Sequence, residues 1–230
     1  MNATITSTAH YVPEKVLTNS DLEKLVDTSD EWIKSRVGIN QRHVVSDGEA
    51  SSDMSTKVAH SLLEKRGISA ANIDVIIIGT VTPDHPTPST AAIVQNNINA
   101  ENAWAFDLSA ACSGFLYALE TGAKFIESGQ YKTIMVIGVD TMTSILDFED
   151  RETCIIFGDG AGGVILEASK SNTGILGSVL KTDGSGAESL NVLAGGSKYP
   201  ASPITIKNRQ HYIKQDLSLI HISEPTRLGA

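Results

Sequence analysis

The sequence predicts an α/β fold, with helices packed against a mostly parallel sheet. Two apolar runs, "IDVIIIGTVT" (73–82) and "YKTIMVIGVDTM" (131–142), have strand length and many β-branched residues, the pattern of strands buried on both faces. Amphipathic helical runs alternate with such strands along the chain, which is the order of a sheet with crossover helices.

Residues 1–13 read as a strand ending at Pro13. "TNSDLEKLV" (18–26) opens with capping residues and continues as a short amphipathic helix. "TSDEWIKSRVG" (28–38) repeats the pattern, with Thr28 or Ser29 as the cap, acids in the first turn, Lys34 and Arg36 late, and Gly38 as the stop. "SSDMSTKVAHSLLEKRG" (51–67) places Val58, Leu62 and Leu63 on one helical face and ends at Gly67. "PSTAAIVQNNI" (88–98) is helical, "WAFDLSA" (104–110) a strand, and 111–128 the longest helix. "TCIIFGDGAGGVILEAS" (153–169) reads as two short strands around a glycine turn, and beyond Gly174 the chain is looser.

The 230 residues, 41% hydrophobic, suffice for one large or two small domains. A net charge of −9 without a Lys/Arg run argues against nucleic acid. The N-terminus has no basic start followed by an apolar run, and no stretch approaches a membrane span, so neither a signal peptide nor a membrane is expected. Two cysteines make neither a disulfide scaffold nor a zinc site, and a reducing cytoplasm is the default location. The histidines show no metal-ligand spacing, so no metal is expected.

Cys112 lies where the 104–110 strand turns into a helix, among the small residues Ser109, Ala110, Ala111, Ser113 and Gly114. Unpaired N–H groups and the positive end of the dipole at a helix start favour thiolate and can bind an oxyanion. Cys112 therefore reads as a nucleophile on a sharp elbow, with a small buried hydrophobe as the alternative. Cys154, inside "TCIIF", reads as core filler. Trp32 and Arg36 share a helical face, suited to stacking and phosphate binding, although spacing alone favours an ordinary amphipathic helix. "GDGAGG" (158–163) fits a dinucleotide fingerprint formally, but a strand-like run follows it, so a nicotinamide cofactor is rejected. Asp147, Glu149 and Asp150 read as a solvated acidic loop.

Together, "DLSAACSGFLYAL", "TSDEWIKSRVGI" and "IIFGDGAGGVIL" resemble β-ketoacyl-acyl-carrier-protein synthase III, over about residues 1–190 and in the family's order. The resemblance implies a thiolase-like, layered α-β-α-β-α architecture. Residues 1–170 would form the N-terminal half with the nucleophile elbow, and 171–216 the truncated start of the second half. It implies a condensing enzyme that initiates fatty-acid synthesis. Cys112 accepts an acyl group from acetyl-CoA or another acyl-CoA, and malonyl-acyl-carrier protein then condenses with it to a 3-ketoacyl-carrier protein. Trp32 matches the residue stacking on the CoA adenine, Arg151 the arginine on the adenine's other face, and Thr28 and Arg36 nearby nucleotide contacts. Thr87, in the proline-rich loop "TPDHPTPS" (82–89), matches an acyl-pocket position near the dimer interface, and Ile156 and Phe157 are expected in the same pocket. No cofactor is implied beyond the CoA thioester as substrate, and the protein would be a cytoplasmic homodimer.

The family also uses a histidine and an asparagine from the second half, and neither is located in this sequence. His211, in "KNRQHYIKQD", has the wrong context. The segment "LSLIHISEPTRLGA" (217–230) fits nothing in the family and resembles a translated sequencing adapter, which would leave Asp216 as the last natural residue and His221 without meaning. Expressed alone, the chain is expected to be insoluble or inactive in condensation. The rival readings are another thiolase-fold enzyme, hydroxymethylglutaryl-CoA synthase-like or a secondary-metabolite ketosynthase, and a non-catalytic acyl-CoA-binding half-domain.

Overall fold

The computed structural model describes residues 2–169, 171 and 173–215. In chain order the elements are β1 (Ala3–Tyr11), β2 (Val16–Thr18), α1 (Asn19–Leu22), α2 (Asp30–Val37), β3 (Gln41–His43), α3 (Ser51–Arg66), β4 (Val75–Gly79), α4 (Thr90–Asn97), β5 (Trp104–Leu108), α5 (Gly114–Glu127), β6 (Thr133–Thr141), α6 (Arg151–Cys154), β7 (Asp159–Ala168), β8 (Leu190–Val192), α7 (Pro203–Lys207) and β9 (Ile213–Gln215). They fall into two compact units. The first runs to Val16 and includes His43–Thr141 and Gly158–Leu180; the second comprises Leu17–Arg42, Met142–Phe157 and the described residues from Lys181. The segment 217–230 and His221 lie outside the described residues.

Five strands of the first unit form a sheet in the order β1-β7-β6-β4-β5. β4 pairs in parallel with β5 and β6, whereas β7 runs antiparallel to both β6 and β1. The sheet is therefore evenly mixed, not mostly parallel. Thr141, at the end of β6, lies opposite Asp159, at the start of β7, so the connection between them returns the chain to the end of the sheet it left. A parallel neighbour would need a crossover to the opposite end.

Period-2 alternation divides the buried strands between two apolar layers. Ile76, Ile78, Met135, Ile137 and Ile165 pack with Met54, Val58 and Leu62 of α3 and Val94 of α4. Val75, Ile77, Ile134, Val136, Val164 and Leu166 pack with Ala118, Ala123 and Ile126 of α5. The result is a sheet covered on both faces, an arrangement that explains why β4 is apolar at every position. α3 is the longest helix, at 16 residues against 14 in α5, because Ala111–Ser113 form a separate 3₁₀ turn before α5 begins.

Asp107 of β5 fixes the start of α4. Its two carboxylate oxygens accept the Thr90 and Ala91 N–H groups at 2.7 and 2.8 Å, where the helix dipole is positive. Asp107→Asn removes the charge and one acceptor, and is expected to destabilise the unit by about 1 kcal/mol. Urea unfolding would show this as a lower midpoint at constant slope.

In the second unit, Leu22, Ile33, Cys154 and Ile155 form a small buried core, joined by half-buried Trp32, Phe148 and Ile156. α2 is capped by Ser29, whose hydroxyl accepts the Trp32 N–H, and is closed by Gly38 in the left-handed conformation at φ 73°. α1 keeps its Thr18–Asp21 capping box but stops at Leu22, short of the expected run to Val26, and Leu25 is exposed. β8 and β9 pair antiparallel, and a capping box between Ser202 and Thr205 starts α7.

Candidate active site

Cys112 occupies the middle of the 3₁₀ turn between β5 and α5, and its thiol is exposed. Exposure removes the alternative of a small buried hydrophobe. Ala111, immediately before it, has φ 46°. A non-glycine residue in that region costs roughly 1–2 kcal/mol, and the fold accepts this strain at the residue that turns the strand into the helix. The Ser113 N–H bonds to the Ala110 carbonyl at 3.1 Å, while the Cys112 N–H has no acceptor among the described residues. That N–H remains available to an oxygen on a group attached to the sulfur.

The segment under the elbow differs from the sequence expectation. "GDGAGG" is not a turn between two strands: its last five residues begin β7, a single ten-residue strand. The residues before it form α6, so Cys154 is helical, not part of a strand. In register across the sheet, Gly79 of β4 faces Gly138 of β6, which faces Gly162 of β7. In-register residues share a face, and these three continue the series 75/77, 134/136 and 166/164 toward the start of α5. At Gly79 and Gly138 side chains give way to hydrogen because the start of α5, the Gly114 backbone and the Phe115 side chain, comes down onto the strands. A Cβ on Gly79 would lie 2.9 Å from the Gly114 carbonyl carbon, and one on Gly138 would lie 3.1 Å from the Phe115 Cβ.

Gly79, Gly138, Gly160, Gly162 and Gly163 line a cavity of about 490 Å³, together with Cys112, Phe115 and Asp140. Asp140 braces the neighbouring loop: one carboxylate oxygen accepts the Val81 N–H at 2.8 Å and the Thr80 and Thr82 hydroxyls at 3.2 and 3.0 Å. The floor of the cavity is thus mostly backbone. It presents little to obstruct a chain attached to the thiol.

The second unit brings together two of the residues chosen from sequence. The Arg151 guanidinium carbon lies 4.3 Å from the centroid of the Trp32 ring, a close cation–π contact. Arg36, one turn after Trp32 on α2, is exposed. The Thr28 hydroxyl, just ahead of the α2 cap, is buried without a hydrogen-bond partner among the described residues.

Comparison with known proteins supplies the family. The family model for 3-oxoacyl-(acyl-carrier-protein) synthase III matches residues 106–184. β-Ketoacyl-(acyl-carrier-protein) synthase III of Chlorobaculum tepidum is 57% identical over 219 residues, covering 94% of this chain and 67% of the relative. The chain belongs to the β-ketoacyl-acyl-carrier-protein synthase III family. The synthase III of Chlorobium phaeovibrioides is 52% identical, covering all of this chain and 70% of that protein. The crystal structure of the Aquifex aeolicus synthase III superposes with a TM-score of 0.84 at 40% identity, covering 95% of this chain and 66% of that one. The chain thus spans about two thirds of the synthase III proteins it matches. They are acyltransferase-type condensing enzymes of thiolase-like fold, and this chain shares that fold.

The other expected synthase III positions differ in exposure. Thr87 is exposed on the 82–89 loop. Ile156 is half-buried against the Leu22, Ile33 and Cys154 cluster, and Phe157 is half-buried beside it in sequence. Cys154 is fully buried, and burial, helped by the nearby Asp150 charge, pushes its thiol up to about 11. The acidic loop is structural rather than merely solvated. Asp147 accepts the Arg209 Nε at 2.7 Å, Glu149 pairs with the same guanidinium at 3.0 Å, and Asp150 caps α6. Arg209 accordingly holds the Asp147 carboxyl below its ordinary value. His211 bonds locally to the Thr205 hydroxyl at 3.0 Å. Among the described residues, no cluster of His, Cys, Asp or Glu is arranged to hold a metal, and no helix is long and apolar enough to cross a membrane.

Proposed function

We propose that the protein carries the acyl-accepting half of an enzyme of the priming condensation of fatty-acid synthesis, with Cys112 as the acyl acceptor; on its own the chain is expected not to complete the condensation. The observation that carries this reading is the exposed thiol on a strained strand-to-helix elbow, seated over a row of glycines. In the first half-reaction the Cys112 sulfur attacks the thioester carbonyl of acyl-CoA. A new C–S bond forms, the Cys112 N–H is a donor for the developing oxyanion, and CoA leaves as its thiolate. In the second, malonyl-acyl-carrier protein loses carbon dioxide and its carbanion attacks the enzyme thioester. The products are a 3-ketoacyl-carrier protein and the free Cys112 thiolate.

Trp32 and Arg151 take the adenine of CoA, supported by their existing contact, with Thr28 and Arg36 as further nucleotide contacts. Thr87, Ile156 and Phe157 are assigned to the acyl pocket on resemblance. In the same reading, residues 1–170 are the half carrying the elbow, 171–216 open the second half, and the working enzyme is a cytoplasmic homodimer needing no cofactor beyond its CoA substrate.

Binding measures the nucleotide part of this proposal directly. Trp32→Ala is expected to weaken CoA binding about five- to thirtyfold, since stacking on a desolvated aromatic face contributes some 1–2 kcal/mol. Calorimetric titration of CoA into wild type and variant would check it, and equal affinities would dismiss the adenine assignment.

A further inference from the structure

Arg42 is 3% exposed, yet none of its guanidinium contacts among the described residues is a carboxylate. Its Nε donates to the Ile155 carbonyl at 3.1 Å, Nη2 donates to the same oxygen, and Nη1 donates to the Asn19 side-chain oxygen. Asn19, 1% exposed, spends its two amide hydrogens on the Asp30 carboxylate at 2.8 Å and the Ile39 carbonyl at 2.9 Å. A buried cation held by neutral acceptors is poor value as a source of stability, because an apolar residue of similar volume often does as well or better. The partners, rather than the burial, distinguish this pair.

Each partner sits at the end of a helix that carries one half of the Trp32–Arg151 contact. Asp30 is the first residue of α2 and Ile39 follows its glycine cap, so Asn19 grips α2 at both ends, with Trp32 between. Ile155 is the residue that closes α6, whose first residue is Arg151. The Arg42–Asn19 bond joins the two grips. We propose that Arg42 and Asn19 are positioning residues for the nucleotide of acyl-CoA: a buried strut that sets the spacing of α2 and α6, and with it that of Trp32 and Arg151.

The proposal rests on the adenine assignment above and adds a constraint to it. At 4.3 Å the guanidinium occupies the ring face and leaves no room for a base between the two groups. With both helices tied to one strut, admission of a base comes from rotation of the Arg151 side chain, while the α2 and α6 backbones stay in place. Such a site loses little backbone freedom on binding, which is how preorganisation raises affinity.

The test measures CoA affinity of the full chain by calorimetry, and Cys112 acetylation by mass spectrometry from acetyl-CoA and from S-acetyl-N-acetylcysteamine, which lacks the nucleotide. Arg42→Lys keeps the charge but not the fork, and Asn19→Ser keeps an oxygen but loses the amide donors. Either variant is expected to weaken CoA about tenfold and to lower the acetylation efficiency of acetyl-CoA relative to the short thioester by the same factor, with the loss in KM rather than kcat. Asn19→Ser carries the test if Arg42→Lys does not fold. An unchanged affinity in these variants, alongside a weakened Trp32→Ala, would overturn the strut and leave the adenine assignment standing. An unaffected Trp32→Ala would remove that assignment and the strut with it. An equal fall for both thioesters would show a general loss of structure and would also refute the proposal.

Discussion

Gly79→Ala is expected to misplace the nucleophile and destabilise the first unit together. The added carbon would lie 2.9 Å from the Gly114 carbonyl carbon and 3.1 Å from both the Gly114 oxygen and the Phe115 nitrogen. All three are backbone atoms, so no side-chain rotation relieves the contact. Either β4 sinks or the first turn of α5 rises, carrying Cys112 with it. Overpacking of this kind costs about 1–3 kcal/mol, and a shift of about 1 Å at a reacting group lowers its rate by roughly a hundredfold. Gly177→Ala is the control, because nothing among the described residues stands within 4 Å of its added carbon. Urea unfolding and the rate of Cys112 acetylation would be followed for both. A Gly79→Ala protein acetylated at the wild-type rate would show that α5 is not seated as described.

The second large effect separates the two thiols. Cys112→Ala is expected to abolish the covalent acetyl adduct formed on mixing with acetyl-CoA, and Cys154 is not expected to take over. At pH 8 a thiol with a pKa of about 11 is ionised in only about one molecule per thousand. Cys154 is in addition fully buried among Leu22, Ile33 and Ile155. Peptide mapping after acetyl-CoA, and separately after iodoacetamide, should place all native-state modification on Cys112. Cys154 should react only in denaturant. An adduct surviving in Cys112→Ala would move the acyl-acceptor role elsewhere in the chain.

The parts of the fold legible in the sequence are those set by near neighbours. The apolar runs of β4 and β6, the Ser29 and Gly38 caps of α2, the Gly67 stop of α3 and the strand-to-helix change at Cys112 all depend on residues a few positions apart. β7 was obscured for the opposite reason. Glycine inside a strand signals a turn unless the atoms that occupy its missing side-chain space are in view, and those beside Gly163, the Val136 carbonyl and the Ile137 side chain of β6, are some twenty-five residues away. The antiparallel pairing of β1 with β7 joins segments about 150 residues apart and has no local signal.

The candidate site divides along the same line. Cys112 could be singled out from its flanking small residues, whereas Trp32 and Arg151 were linked only through resemblance, since 119 positions separate them. Arg42 and Asn19 attracted no attention in sequence: an arginine after a helix and an asparagine at a helix start are ordinary at the surface. Their significance lies in being buried and bonded to each other, a property of the folded chain alone.

The glycine row also bears on time. Where side chains seat a helix, rotamer hops let it breathe in nanoseconds; where backbone rests on backbone, that softer motion has nothing to act through. The amides of Gly79 and Gly138, paired in the middle of the sheet, exchange with solvent only when the sheet itself opens. Gly79, where backbone meets the Gly114 backbone, therefore ties the start of α5, and the turn before it that carries the sulfur, to the opening of the sheet.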